Sequence, residues 1–112
     1  LVFANLIDFD MLYGHRRDSR GYADALENTD AFLGNLLPLL TDRDILIITA
    51  DHGNDPTFKG TDHTREFVPL LVYRKGVPGA SLGIRHGFCD IAQSLASFFD
   101  IAPVPRGKNC FG

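Results

Sequence analysis

Ile45-Leu46-Ile47-Ile48-Thr49-Ala50-Asp51-His52-Gly53 decides how the rest of this chain is read. A short, apolar, β-branched run ends abruptly in a carboxylate, an imidazole and a glycine. Such a run predicts a strand buried on both faces, in the middle of a parallel or mixed α/β sheet. Open α/β sheets place their ligands just past the carboxyl ends of their strands. Asp51 and His52 are both good ligands for a divalent cation, and Gly53 lets the backbone turn sharply straight afterwards. A plainer reading also stands: a strand followed by a polar turn, with Asp51 capping a helix or loop.

On the N-terminal side of this strand, Asp42-Arg43-Asp44 forms a polar turn. Before it, Tyr22, Leu26, Thr29, Leu33, Leu36 or Leu37, and Leu40 recur at three- and four-residue steps. That spacing is the apolar stripe of an amphipathic helix packing on a sheet. Asp18 or Ser19 is its expected N-cap, and Pro38 ends or kinks it at about Leu37. Earlier still, residues 1–7 predict a first buried strand, interrupted only by Asn5. Asp8-Phe9-Asp10 brings carboxylates in at its end, and a short loop leads to His15.

On the C-terminal side, residues 54–66 are rich in Gly, Pro and polar groups and have no period, which predicts a long functional loop. Pro69-Leu70-Leu71-Val72-Tyr73 predicts another strand, and residues 90–100 a second helix with Ile91, Leu95 and Phe98 or Phe99 on one face. Residues 103–112 read as a tail outside the core. The order strand, helix, strand, long loop, strand, helix argues for α/β layers. Three strands are few for a free-standing sheet, and the chain opens inside an apolar run without Met. A segment of a longer protein is the expectation.

The 112 residues suit one small domain, and 45% hydrophobic with 22% charged residues is an ordinary globular balance. A net charge of −3 gives no footing for nucleic acid. No apolar run approaches the ~20 residues needed to cross a bilayer, and no leader is visible. Cys89 and Cys110 show no motif spacing, so reduced thiols in a cytoplasmic protein are the simpler expectation.

The potential ligands are grouped. Asp10 and His15 follow the first predicted strand, Asp51 and His52 end the next, and His63 lies in the loop beyond. If the first two strands are parallel and joined by the helix, all five share one sheet edge. Mixed carboxylate and imidazole donors suit manganese, iron, zinc or magnesium. Five such groups exceed the needs of one ion that must also admit substrate, so two metals about 3.5–4 Å apart are the natural accommodation. Singly, His15 beside two arginines also reads as a solvated turn, and His63 as an organiser of its loop. Asp8 and Asp55 read equally as cap or turn residues, and His86 as surface. Arg16, Arg17, Lys59 and Arg65 could meet a phosphate, but solvated loop charges account for most of them.

Asp8-Phe9-Asp10-Met11-Leu12-Tyr13-Gly14-His15-Arg16-Arg17-Asp18 resembles a block of the phosphopentomutase family, within the alkaline phosphatase superfamily. Thr49-Ala50-Asp51-His52-Gly53, Asp55-Pro56-Thr57 and Gly60-Thr61-Asp62-His63-Thr64-Arg65-Glu66 resemble further blocks. The likeness covers essentially the whole chain. It implies an α/β fold, part of a three-layer alkaline-phosphatase-like core with a mostly parallel sheet. Residues 1–112 would be the C-terminal segment of the metal-binding core domain.

The resemblance further implies two Mn²⁺ ions, with Mg²⁺, Zn²⁺ and Co²⁺ as lesser candidates, and a phosphorylated pentose as substrate. Asp51 and His52 would hold one metal; Asp10, His15 and His63 would hold the other. Phosphate would move between the 1- and 5-positions of ribose or deoxyribose through a threonine. In that family the threonine, a further aspartate ligand and an inserted cap domain lie upstream, so the segment alone is expected to be inactive. The nearest rival is cofactor-independent phosphoglycerate mutase, whose Asp-His-Gly-Asn segment agrees with Asn54. A non-catalytic module is the rival from another class. An exposed sheet edge would also make the segment self-associate.

Overall fold

The computed structural model describes residues 1–111. They fall into two compact units, Leu1–Gly76 and residues 77–111. The first unit carries every predicted ligand. Its elements are a π-helical turn, Phe9–Gly14, an α-helix α1, Ser19–Leu36, a short 3₁₀ turn, Leu37–Leu39, and two strands, β1, Leu46–Thr49, and β2, Leu70–Tyr73. The second unit holds one helix, α2, Cys89–Phe98.

Helix α1 starts and stops where its side chains dictate. The Asp18 carboxylate accepts a 2.8 Å hydrogen bond from Gly21 N–H, satisfying one of the free donors of the first turn. Pro38 has no N–H to continue the ladder, and the chain tightens into the 3₁₀ turn there. Phe9 and Tyr22 meet edge to face at 5.1 Å between ring centroids, fastening the first turns of α1 to the π-helical turn. The predicted stripe is only half-covered: no residue of α1 is fully buried, and Leu26 is exposed.

Strand β1 pairs with β2 in an antiparallel ladder, Leu46 opposite Tyr73 and Thr49 opposite Leu70. This corrects two expectations. A strand exists through its ladder, and residues 1–7 have none: they are exposed, Val2 to 94%, and Ile7 gives its carbonyl to Met11 N–H in the π-helical turn. No parallel pair is therefore present among the described residues, and the mostly parallel three-layer sheet is not seen in them. The 20-residue connection between β1 and β2 has no crossover helix, which is what a parallel pair needs. Nor is β1 buried on both faces: Leu46, Ile47 and Ile48 are half-buried and Thr49 is exposed, since a lone partner strand covers an edge and not a face. No helix among the described residues is long and apolar enough to cross a membrane.

The second unit corrects the expectation of a loose tail. Residues 103–111 fold back along α2. Ser94, fully buried, accepts the Cys110 N–H at 2.8 Å and donates to the Asp90 carbonyl at 2.7 Å. Asp90 takes the Lys108 N–H at 2.9 Å, and Gln93 takes the Val104 N–H at 3.0 Å. Cys110 is buried and Cys89 exposed, and neither is bridged. The helix ends in a left-handed Asp100, with Ile101 N–H returning to the Ala96 carbonyl.

Candidate metal centre

Two backbone features bring the ligands together. The first is the π-helical turn. His15 N–H reaches back five residues to the Asp10 carbonyl at 2.9 Å, so the two side chains leave the same side of the turn. His15 Nε2 lies 3.4 Å from Asp10 Oδ2. The second is a continuation of the β ladder past its strands. Thr49 Oγ1 donates to the Pro69 carbonyl at 2.8 Å, and Gly53 and Thr64 form an isolated antiparallel bridge. Gly53 is required by closeness: a Cβ there would lie 2.9 Å from both Thr64 O and Glu66 N. His52 and His63 flank the bridge and stack at 3.6 Å between centroids, with their planes 19° apart.

Asp10, His52 and His63 each offer a donor atom within 4.8 Å of the others. His63 Nε2 is 3.4 Å from Asp10 Oδ1 and 3.2 Å from His15 Nε2. Four of the five predicted ligands thus converge. Asp51 stands apart: its carboxylate is 86% exposed and lies 3.6 Å from His52 Nε2. His52 sits with Asp10 and His63, so the division into an Asp51–His52 pair and an Asp10–His15–His63 trio is not visible as two separate groups.

The donor set fits a cation of intermediate hardness, one carboxylate with several imidazoles. Its support has the form that metal sites use. His15 Nδ1–H donates to the Thr61 carbonyl at 2.5 Å, leaving Nε2 as a lone pair facing the cluster. Asn54 Nδ2 donates to Asp10 Oδ1 at 2.6 Å. Partial burial works to raise the Asp10 pKa, but the Asn54 hydrogen bond and the imidazoles of His15, His52 and His63 outweigh it. The carboxyl is held below its ordinary value. Burial raises the neighbouring Tyr22 phenol, and the Asp10 charge adds to that.

Of the remaining polar residues, Asp55 takes the turn role. Its carboxylate accepts from Thr57 N–H at 2.8 Å and Thr57 Oγ1 at 2.7 Å. Arg16, Lys59, Arg65 and His86 are exposed. Two supporting residues were not assigned from the sequence. Asn54 carries a signal in retrospect, an amide donor placed immediately after the ligand-bearing turn. Arg17 reads in the sequence as a phosphate contact or a solvated loop charge, yet its guanidinium is turned inward onto the 54–62 loop.

The ligand cluster on a π-helical turn and a β-bridged loop offers the donors of a metal site, and the chain belongs to the metalloenzyme superfamily, which it matches over residues 1–103. Among individual proteins it is similar to phosphopentomutases. It is 58% identical to that of Vibrio cholerae over 109 residues, 56% to that of Vibrio parahaemolyticus and 55% to that of Shewanella oneidensis. Each alignment covers 97% of this chain but 27% of the relative, so the chain spans about a quarter of the length of the curated relatives it matches.

Proposed function

We propose that this chain is the metal-binding segment of a manganese-dependent phosphopentomutase, moving phosphate between the 1- and 5-positions of ribose or deoxyribose. The observation that carries the reading is the convergence of Asp10, His52 and His63 within 4.8 Å, in a chain 54–58% identical to phosphopentomutases. Asp10, His15 and His63 would hold one ion, and His52 with Asp51 would contribute to a second. Such ions supply charge neutralisation and orientation for a transferring phosphoryl group. The chain's own residues do the holding. His15 is fixed in one tautomer by Thr61, and Asp10 stays ionised under the Asn54 amide, so both keep lone pairs for a cation.

In this reading residues 1–112 belong to the C-terminal part of a three-layer core, and turnover by them alone is not expected. The two unbridged cysteines suit a cytoplasmic setting. The outer edges of the β1–β2 sheet are unpaired among the described residues, which favours self-association.

The test is to assay the full-length enzyme of which this reading makes the chain a segment, with Mn²⁺, on ribose 5-phosphate and on 3-phosphoglycerate. Interconversion of ribose phosphates is expected. Turnover of 3-phosphoglycerate alone would replace the reading with that of a phosphoglycerate mutase. Calorimetry with no Mn²⁺ binding would leave a non-catalytic module.

A further inference from the structure

Arg17 joins the π-helical turn to the loop that ends at His63. Its Nη1 donates to Asp55 O at 2.8 Å, Asn54 Oδ1 at 3.3 Å and Gly14 O at 3.3 Å. Nη2 donates to Asp62 O at 3.0 Å, and Nε to Gly60 O. A guanidinium has five N–H groups in a fixed plane, and here that fork is spread over the loop. Two of its acceptors, the carbonyls of Gly60 and Asp62, flank Thr61. Thr61 is the residue whose own carbonyl takes the His15 Nδ1 proton at 2.5 Å. A third acceptor is the Asn54 side-chain oxygen. Fixing that oxygen turns the amide nitrogen toward Asp10 Oδ1, 2.6 Å away.

The backbone at Arg17 agrees with such a role. Its φ is +57°, a left-handed conformation unusual outside glycine and its small polar substitutes. The conformation lies between the Gly14 turn, where Arg17 N–H meets Gly14 O at 3.1 Å, and the Asp18 cap of α1. Strain of this kind persists where surrounding bonds over-determine it.

We infer that Arg17 is a positioning residue: its guanidinium fork holds Thr61 and Asn54 so that His15 keeps its proton on Nδ1 and Asp10 receives the Asn54 amide. This rests on the metal-site reading for its purpose but not for its geometry. It also withdraws Arg17 from the groups available to a substrate phosphate, since its donors are engaged within the protein.

The test compares the unaltered chain with Arg17→Met, Arg17→Lys and, as a charge-matched control on the exposed side of the turn, Arg16→Met. Long-range ¹H–¹⁵N correlation of the His15 ring, recorded without metal, reports which nitrogen bears the proton. Arg17→Met is expected to lose the single Nδ1–H form, and Arg16→Met to keep it. Calorimetry with Mn²⁺ is expected to show affinity falling roughly 10–100-fold in Arg17→Met, as for other residues that orient metal ligands. Arg17→Lys keeps the charge without the fork and is expected to restore neither readout. An unchanged His15 tautomer in Arg17→Met, or full restoration by lysine, would overturn the inference. If Arg17→Met loses its circular dichroism, Arg17→Gln, which keeps a planar donor, carries the same readout. Absence of Mn²⁺ binding in the unaltered chain would end the metal reading, while the tautomer comparison would still decide the role of Arg17.

Discussion

Asn54 donates its amide to Asp10 Oδ1 at 2.6 Å, across 44 residues of sequence. Gly14 lies beneath that contact: a Cβ there would run into the Asn54 amide, with Cγ at 2.6 Å. A missing side chain at one ligand-bearing turn therefore leaves room for the residue that orients the ligand of the same turn.

Removing that amide should cost metal affinity more than fold. Asn54→Ala is expected to weaken Mn²⁺ binding by about 10–100-fold, read by calorimetry. Gly14→Ala should weaken it similarly and also destabilise the chain by about 1–3 kcal/mol, the usual cost of overpacking a filled site. Equal Mn²⁺ affinity in Asn54→Ala and the unaltered chain would show that the amide does not hold Asp10.

The Gly53–Thr64 bridge should be equally sensitive. In Gly53→Ala the new Cβ meets backbone atoms at 2.9 Å, which cannot rotate away as a flexible side chain can. The bridge should open and the stacked His52 and His63 rings should part. Loss of the amide protection of Thr64, whose N–H reaches Gly53 O at 3.0 Å, is the hydrogen-exchange signature. A retained, protected Thr64 amide would refute this account.

The turn before β1 makes a pH-dependent contribution. Asp44 accepts from the backbone N–H of Thr41 at 2.8 Å and from its hydroxyl at 2.7 Å, and these bonds hold its carboxyl below the ordinary value of 3.8. A depressed folded-state pKa gives stability that is present above the unfolded value and lost as pH falls through the folded one. Asp44→Asn should therefore lose stability at neutral pH and show a shallower acid limb in urea unfolding as pH falls through and below the ordinary carboxylate value of 3.8. An acid limb identical to that of the unaltered chain would remove the assignment.

In the second unit, Ser94→Ala should cost about 1–3 kcal/mol, because it strands the buried Cys110 N–H that its hydroxyl accepts at 2.8 Å. Denaturant unfolding followed by circular dichroism of α2 would read it. A change below half a kcal/mol would mean that the C-terminal residues are not held by this contact.

What the sequence determined by itself is local. The 3.6-residue spacing from Tyr22 to Leu37, with Asp18 before it and Pro38 at its end, is enough to bound α1, because caps and ring constraints act within one turn. The β-branched run at 45–49 gives a strand, and the ligand types after it give a metal reading, because chemistry belongs to the side chain. Tertiary structure alone decided the partners. Residues 1–7 are as apolar as β1, but a strand needs a ladder, and only β2 supplies one to β1. The Asp10–His15 approach required a five-residue return that periodicity does not announce, and the stacking of His52 on His63 required a bridge between Gly53 and Thr64. Arg17 reads like any surface charge because three of its acceptors, the backbone carbonyls of Asp55, Gly60 and Asp62, lie more than 35 residues away. Backbone carbonyls carry no residue identity, so the pairing leaves no mark in the sequence and is decided only when the chain closes on itself.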